Sequence, residues 1–205
     1  MTVGRLERDG YYEVPPGKIA AVVTSLEMRQ PPSMPAPKPP AGVDLVSWPA
    51  PDPDRYLDLF RRIGTPWLWF SRLRLARAQL MAILQNPAVE IRVARQGHAD
   101  IGMIELDFRR LPDVELSFFG VVPEWTGRGL GRFLMAHAIE RAFAGGAKRF
   151  WVHTCTLDHP RALAFYLRSG FVAFARSIAI ADDPRLTGLL PRDAAPQIPI
   201  IAARD

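Results

Sequence analysis

A glycine-rich turn is the part of this sequence best suited to chemistry. The residues from Val114 to Val122 predict a strand, and those from Gly129 to about Ala144 predict a helix. Glycines stand at alternate positions of the turn, at 127, 129 and 131. A helix that begins there points unpaired N–H groups and the positive end of its dipole at one place. Because glycine lets a ligand approach the main chain closely, the turn predicts a site for phosphate or another bulky anion.

The glycine spacing excludes two familiar phosphate-binding motifs. A dinucleotide fingerprint, G-x-G-x-x-G, needs a third glycine where this chain has Arg132 or Leu134. A P-loop ends in Gly-Lys-Ser/Thr, and no lysine occurs in this turn. What remains is G-x-G-x-G after a strand that ends in Val-Val-Pro-Glu.

A second motif runs from Thr156 to Phe171 and contains Ala162, Tyr166 and Gly170 at fixed intervals. The glycine turn resembles the acetyl-CoA-binding motif of the GNAT superfamily of N-acetyltransferases, in its bacterial-type members. The second motif resembles that family's pattern N-x-x-A-x-x-x-Y-x-x-x-G-F. The two motifs stand in the family's order, each in its expected structural context.

The resemblance covers about residues 18–180 and implies a fold, a reaction and a cofactor. The fold is α/β, with a central mixed, mostly antiparallel sheet that is splayed between two parallel strands and flanked by helices. The reaction is direct transfer of an acetyl group to a primary amine of a small molecule or peptide. The implied cofactor is acetyl-CoA, and the protein is expected to be an enzyme, an acyltransferase.

Particular residues take roles by this resemblance. Main-chain groups before the turn would pair with pantetheine and the thioester, and amides of the turn would hold the pyrophosphate, with Arg128 and Arg132 adding charge. The cofactor-binding positions are Phe119, Gly120, Val121, Val122, Gly127, Arg128, Gly129, Leu130, Gly131, Arg132 and His159. Tyr166 stands where many members of the family protonate the departing thiolate.

The amine must also lose a proton, which requires a base or a proton path. Glu115 opens the central strand and Glu105 lies on the neighbouring strand. Either carboxylate could accept the proton directly or through water, and Glu115 is the first choice. A solvated or salt-bridged structural role is the alternative for both.

The acceptor pocket of GNAT proteins is built largely by the two helices after the first strand. Here the junction of those helices contains Trp67, Trp69 and Phe70. These rings could line an apolar or cation-accepting pocket, or they could seal the core beneath the helices.

Two departures from the family pattern concern cofactor binding. Thr126 stands where the family usually has Arg or Gln, and His159 replaces the usual Asn of the second motif. They keep open a second hypothesis, a non-catalytic acetyl-CoA sensor with a GNAT fold. A third, an interaction protein that uses the proline-rich segment, has no motif in its favour.

Composition limits the other classes of function. The net charge of +5 comes from arginines spread over the whole chain, so we expect no nucleic-acid partner. One cysteine excludes an intramolecular disulfide, and the four histidines lack metal-ligand spacing, so no metal is expected. No stretch is apolar enough to span a membrane, and a cytoplasmic protein is the default. A homodimer built on exposed sheet edges or on the tail is compatible with the sequence.

The elements that position these residues follow the order β-αα-βββ-α-β-α-β. We predict an N-terminal extension (1–17), a GNAT domain (18–181) that includes a proline-rich connector (31–40), and a C-terminal tail (182–205). Strands are expected at 18–28, 89–94, 101–108, 114–122, 149–156 and 171–180, with a further edge strand possible at 197–201. Helices are expected at about 52–64, 73–84, 129–144 and 160–169, where Pro160 suits a first helical position.

Overall fold

Seven strands form one open sheet with helices packed against it. The computed structural model describes residues 7–33 and 37–203. The strands are β1 (Lys18–Met28), β2 (Val43–Ser47), β3 (Val89–Gln96), β4 (Ala99–Arg110), β5 (Asp113–Val121), β6 (Arg149–Cys155) and β7 (Val172–Asp182). The helices are α1 (Pro53–Gly64), α2 (Arg77–Leu84), α3 (Leu130–Ala144) and α4 (Ala162–Arg168).

The sheet has the order β2-β3-β4-β5-β6-β1-β7, and every neighbouring pair except β5–β6 is antiparallel. The parallel β5–β6 ladder holds three residue pairs, from Asp113–Arg149 to Glu115–Trp151. Beyond Glu115 the two strands separate. The predicted fold, a mixed and mostly antiparallel sheet splayed between two parallel strands, is confirmed.

The first strand lies between the last two strands of the sheet. β1 pairs with β6 from Val23–Cys155 to Met28–Phe150, and with β7 over nearly its whole length. Leu26 and Met28 are buried in the main core. The first strand in the sequence is therefore an interior strand of the sheet.

The helices form where the sequence places caps and apolar stripes. The Asp52 side chain accepts hydrogen bonds from the amides of Asp54 (3.1 Å) and Arg55 (3.0 Å) at the start of α1. Its apolar stripe, Tyr56, Leu59, Phe60 and Ile63, is buried. α3 begins at Leu130 without a side-chain cap, so the glycine turn alone shapes its N-terminus.

Four sequence expectations differ from the structure. α2 begins at Arg77, because the residues from 71 to 75 form turns. α4 begins at Ala162 rather than at Pro160. β2, which pairs only with β3, was not predicted, and residues 197–201 form no strand.

The tail packs as a second, smaller core. Leu190, Ala194 and Ala195 are buried with Ile19 of β1 and Leu68. The buried Arg185 guanidinium pairs with the Asp183 carboxylate and donates to the carbonyl oxygens of residues 194, 195 and 198. The pair therefore closes the tail on itself, whereas Leu68 and a 2.9 Å hydrogen bond from the Gln197 side chain to the Pro66 carbonyl connect the tail to the junction between α1 and α2.

Within the described residues, no helix has the length and apolar character that crossing a bilayer requires.

Candidate functional site

A cleft of about 620 Å³ lies where β5 and β6 separate. Its walls come from the end of β5, the glycine turn, β6, α4 and the loop after α1. β1 and β7 extend one wall through Ile19, Ala21, Val23, Ala179 and Ala181. Both predicted motifs and the aromatic loop therefore border one cavity.

Phe118 and Phe119 follow a bulge in β5 and, as consecutive strand residues, point to the two sides of the sheet. Phe118 pairs with Glu105 whereas Leu116 pairs with Leu106, which leaves Ser117 as the extra residue. The Phe118 ring lies 5.5 Å from that of Trp69, on the side of α1. The Phe119 ring lies 5.7 Å from that of Phe165, on the side of α4. The cleft thus connects the helices of one face with those of the other.

The glycine turn leaves a group of main-chain donors facing open space. Gly127 and Gly129 have φ values of +82° and +84°, which favour glycine, and nothing lies within 4 Å of where a Cβ would stand. The Arg128 and Arg132 amides bond to the carbonyls of Trp125 and Gly129 inside the turn. In the described part of the chain, the amides of residues 127, 129, 130 and 131 have no backbone acceptor. Four N–H groups at a helix N-terminus fit a pyrophosphate.

Basic side chains accompany these amides. Arg132, Arg161 and Arg168 line the cleft, and the last two were not identified from the sequence. Asp158 is the only acidic residue among the lining residues that the structure describes. The electrostatic character of the cleft therefore suits an anionic ligand.

Tyr166 is buried among aromatic rings, with the rings of Phe119, Phe165 and Phe171 at 6.3, 5.8 and 5.9 Å. Burial, together with the Asp158 charge, raises the pKa of Tyr166 well above its ordinary value. Among residues 7–33 and 37–203 its hydroxyl has no hydrogen-bond partner, and the residue lines the cleft. It is therefore a protonated phenol with an unused donor.

Glu115 does not line the cleft but lies behind a residue that does. Its Oε1 is 3.9 Å from Nδ1 of His153 on β6. This is too long for a direct hydrogen bond, but one water molecule could bridge the two atoms. Burial, and secondarily the Asp107 charge, raises the pKa of Glu115. Partial desolvation lowers the pKa of His153, whose side chain is 50% exposed, and outweighs the Asp158 charge, so the imidazole is neutral at neutral pH. No sequence motif identifies His153 as a site residue.

Glu105 lies outside the cleft and is fully buried. Its carboxylate pairs with the Arg72 guanidinium and accepts a 2.6 Å hydrogen bond from the Tyr56 hydroxyl. Both carboxylate oxygens therefore have donors inside the core. This arrangement matches the structural role that the sequence left open for Glu105.

Trp67, Trp69 and Phe70 all line the cleft, and Trp69 also packs on the core ring of Phe60 at 5.4 Å. The indole N–H of Trp69 donates to Oδ1 of Asp158 at 3.1 Å. Oδ2 of Asp158 accepts from the Thr154 hydroxyl (2.7 Å) and the amide of residue 155 (2.9 Å). Asp158 thus joins the aromatic loop to the end of β6. The three rings line the cleft, and Trp69 in addition packs against the core.

The predicted cofactor positions divide into two groups. Those that line the cleft are Phe119, Gly120, Val121, Gly127, Gly129, Gly131, Arg132 and His159. His159 also accepts from the Arg161 amide through Nδ1 (3.0 Å), so it caps the turn before α4.

Three positions do not line the cleft. The Val122 amide donates to the Ile101 carbonyl (3.0 Å), the Arg128 guanidinium lies over the Trp125 ring (5.4 Å), and the Leu130 side chain is fully buried. Leu130 can contribute only its amide. All these roles remain predictions.

In the described residues, no group of three or more His, Cys, Asp and Glu side chains could hold a metal ion.

Comparisons with known proteins identify the architecture. A family model described as the acetyltransferase (GNAT) family matches residues 46–171, more than half of the chain. No curated protein matches the chain.

Several solved structures share the fold at low sequence identity. A GCN5-related N-acetyltransferase from Kribbella flavida is 19% identical, with a TM-score of 0.53 over 84% of this chain and 63% of that one. A putative GNAT acetyltransferase from Novosphingobium aromaticivorans is 19% identical, with a TM-score of 0.54 over 83% and 70% of the two chains. An IAA acetyltransferase from Bacillus cereus is 24% identical, with a TM-score of 0.50 over 65% and 79%.

This chain thus spans under two thirds of the Kribbella flavida protein's length, and these likenesses concern the fold alone. The match of the family model agrees with the splayed sheet and with both sequence motifs. The chain belongs to the GNAT acetyltransferase family.

Proposed function

We propose that this protein transfers the acetyl group of acetyl-CoA to a primary amine with an apolar body. One observation carries the proposal: a single cleft is bordered by the glycine turn with its unpaired amides, a protonated tyrosine and an apolar aromatic wall. The amides would bind acetyl-CoA, the tyrosine would donate a proton to the leaving thiolate, and the aromatic wall would bind the acceptor amine.

The residues fit the donor. The unpaired amides of residues 127, 129, 130 and 131 and the Arg132 guanidinium supply positive charge for a pyrophosphate. The β5 backbone beyond Glu115 has left its ladder with β6, so its edge is available for the amides of an extended chain. Acetyl-CoA would supply the activated thioester carbon at this edge.

The protein's own groups would move two protons. Neutral His153 would accept the proton of the amine as the new C–N bond forms, and Glu115 behind it would stabilise the imidazolium through water. The Tyr166 hydroxyl would give its proton to the sulfur as the C–S bond breaks. N–H donors of the β5 edge would stabilise the charge that develops on the carbonyl oxygen.

The acceptor side of the cleft favours an apolar amine. Trp67, Trp69 and Phe70 lie there with Ile19 and Leu68, and the single lining carboxylate, Asp158, already accepts three hydrogen bonds. A polycationic acceptor would find no unused acidic group among the described lining residues. An aromatic or aliphatic monoamine would bury its body against these rings.

The test is a thiol-release assay with acetyl-CoA and a panel of amines that includes phenethylamine, spermidine and an aminoglycoside. We expect the highest kcat/KM for phenethylamine. Tyr166→Phe should lower kcat by about a hundredfold or more, because it removes the proton donor and keeps the ring, whereas CoA affinity measured by calorimetry should be unchanged.

Other outcomes would separate the alternatives. Tight CoA binding without turnover on any amine would identify the non-catalytic sensor. A chain that does not bind CoA would contradict both the enzyme and the sensor. Preference for spermidine would contradict the apolar acceptor while leaving acetyl transfer intact.

A further inference from the structure

The last strand of the sheet is a long, uncovered edge. β7 pairs with β1 along one side, and no other strand in the described part of the chain pairs with it. Its residues from Val172 to Ile180 are all exposed, although both faces of an interior strand such as β4 are covered. The outward-facing backbone groups of this eleven-residue strand are therefore unpaired, and most of both its faces is exposed.

This edge lacks the usual protection against pairing. Natural edge strands are commonly short, interrupted by proline or rich in charge. β7 contains no proline, and its only charged residues are Arg176 and Asp182. Ile178 and Ile180 are 50% and 54% exposed, beside their cross-strand partners Val22 and Ala20 on β1. The strand and its neighbour thus share an exposed apolar patch.

We propose that a second copy of this chain pairs antiparallel with β7 about a two-fold axis at Ala179. A two-fold contact brings the same surface of both copies together, so the strand must complement itself. In this register Arg176 lies opposite Asp182 of the second copy, twice, and Ile178 lies opposite Ile180. The two charged pairs flank the apolar pairs.

Charge complementarity selects this register. Centring the axis on Ser177 instead would place Arg176 opposite an isoleucine and leave its charge unpaired. Asp182 contacts the Lys18 ammonium at 2.6 Å but its side chain is 69% exposed, so it can also face a second cation.

The pairing also extends one wall of the cleft. Ala179 and Ala181 alternate with the isoleucines and line the cleft, so they lie on the face opposite to the apolar patch. The second copy's strand would continue this wall of small residues. The inference is independent of the proposed function, because its tests measure mass.

The first test compares molar masses by sedimentation equilibrium at micromolar concentrations. We expect a dimer for the wild type and a monomer for Ile178→Lys, because this substitution places two ammonium groups in the interface between the two β7 strands. Leu111→Lys is the matched control: Leu111 is 53% exposed in the turn between β4 and β5, so this variant should remain a dimer. Circular dichroism checks that both variants are folded. A monomeric wild type, or a dimer that survives Ile178→Lys, would overturn the proposal.

The second test uses charge reversal. Arg176→Asp alone and Asp182→Arg alone each place like charges opposite one another, so each should be monomeric. An equimolar mixture restores both opposite-charge pairs and should form a heterodimer, which damage inside either monomer could not produce. A mixture that stays monomeric overturns the two-fold at Ala179.

Discussion

At the scale of single residues, the proposed proton path depends on His153. Partial desolvation lowers its pKa below the ordinary value near 6.5, so the imidazole is neutral and able to accept a proton at neutral pH. The imidazole becomes protonated, and so can no longer act as a base, only when the pH falls through this lowered pKa, which lies below 6.5. Activity should therefore hold through neutral pH and decline on the acid side.

The corresponding prediction concerns the acid limb of the kcat–pH profile, measured with both substrates saturating, because kcat/KM would also report the ionisation of the free amine. His153→Asn should abolish this limb and lower the rate by about 10²–10⁴-fold, the range typical of a lost general base. Glu115→Gln should lower the rate less. His98→Asn, which alters an exposed histidine in the β3–β4 turn, serves as the control. An acid limb that survives in His153→Asn and disappears in Glu115→Gln would make the carboxylate the base.

The sequence motifs identify Tyr166 but not His153, for a physical reason. Tyr166 stands at a fixed helical spacing from Gly170, so a one-dimensional pattern contains it. His153 becomes relevant only because β6 diverges from β5 and exposes it beside Glu115. The opposite case is Glu105, which the sequence suggests as a base although the structure pairs it with Arg72 in the core. Arg72 lies in a turn that no local sequence pattern predicts.

At the scale of elements, the glycine turn combines a backbone conformation with an open space. Gly129→Ala should cost roughly 1–2 kcal/mol of stability, because an L-residue resists the left-handed region. It should also weaken CoA binding, because the new methyl group would occupy the space in front of the amides.

A matched glycine separates the two effects. Gly97 has a φ of +57° and open space around it, but it lies in the β3–β4 turn, away from the cleft. Gly97→Ala should lower the melting temperature similarly and leave CoA affinity, measured by calorimetry, unchanged. If Gly129→Ala and Gly97→Ala bound CoA with equal affinity, the glycine turn would not be part of the CoA-binding site.

The tail is the second element with a specific prediction. Arg185→Met leaves the buried Asp183 carboxylate without its partner, so we expect a loss of about 3–5 kcal/mol in denaturant unfolding. Arg192→Met, at an exposed arginine of the same tail, is the control and should change little. A loss below 1 kcal/mol in Arg185→Met would contradict the role of the pair in holding the tail together.

The Arg185 guanidinium also holds the pKa of Asp183 below its ordinary value of 3.8. A depressed carboxylate pKa stabilises the fold above 3.8, and this contribution is lost as the pH falls through the lowered pKa. The stability difference between wild type and Arg185→Met should therefore narrow in acid.

Elements with strong local signals were predictable, and weakly marked ones were not. α1 has a cap, a proline and an apolar stripe, and its predicted bounds hold. β2 has five residues, of which only Val43 is buried, so it forms because β3 offers an edge and not because of its own pattern. α2 starts late because Arg72 and Leu73 serve core contacts from a turn.

At the scale of the whole molecule, the place of β1 in the sheet could not be read from the sequence. Its strand pattern predicts an element, but pairing with β6 and β7 joins residues more than a hundred positions apart. The family model matches residues 46–171 and so covers neither β1 nor β7. These two strands nevertheless complete the wall of the cleft.

The last prediction tests whether β1 is part of the folding unit. Deleting residues 1–28 removes the only neighbour of β7 in the described part of the chain and takes Leu26 and Met28 from the core. This variant should lose its cooperative thermal transition by circular dichroism, because β7 and the tail then have no sheet to join. Deleting residues 1–13 is the control: residues 7–13 are exposed, so this variant should melt within a few degrees of the full chain. A cooperative transition near the wild-type temperature after removal of residues 1–28 would mean that the sheet closes without β1, and that the cleft wall it builds is dispensable for folding.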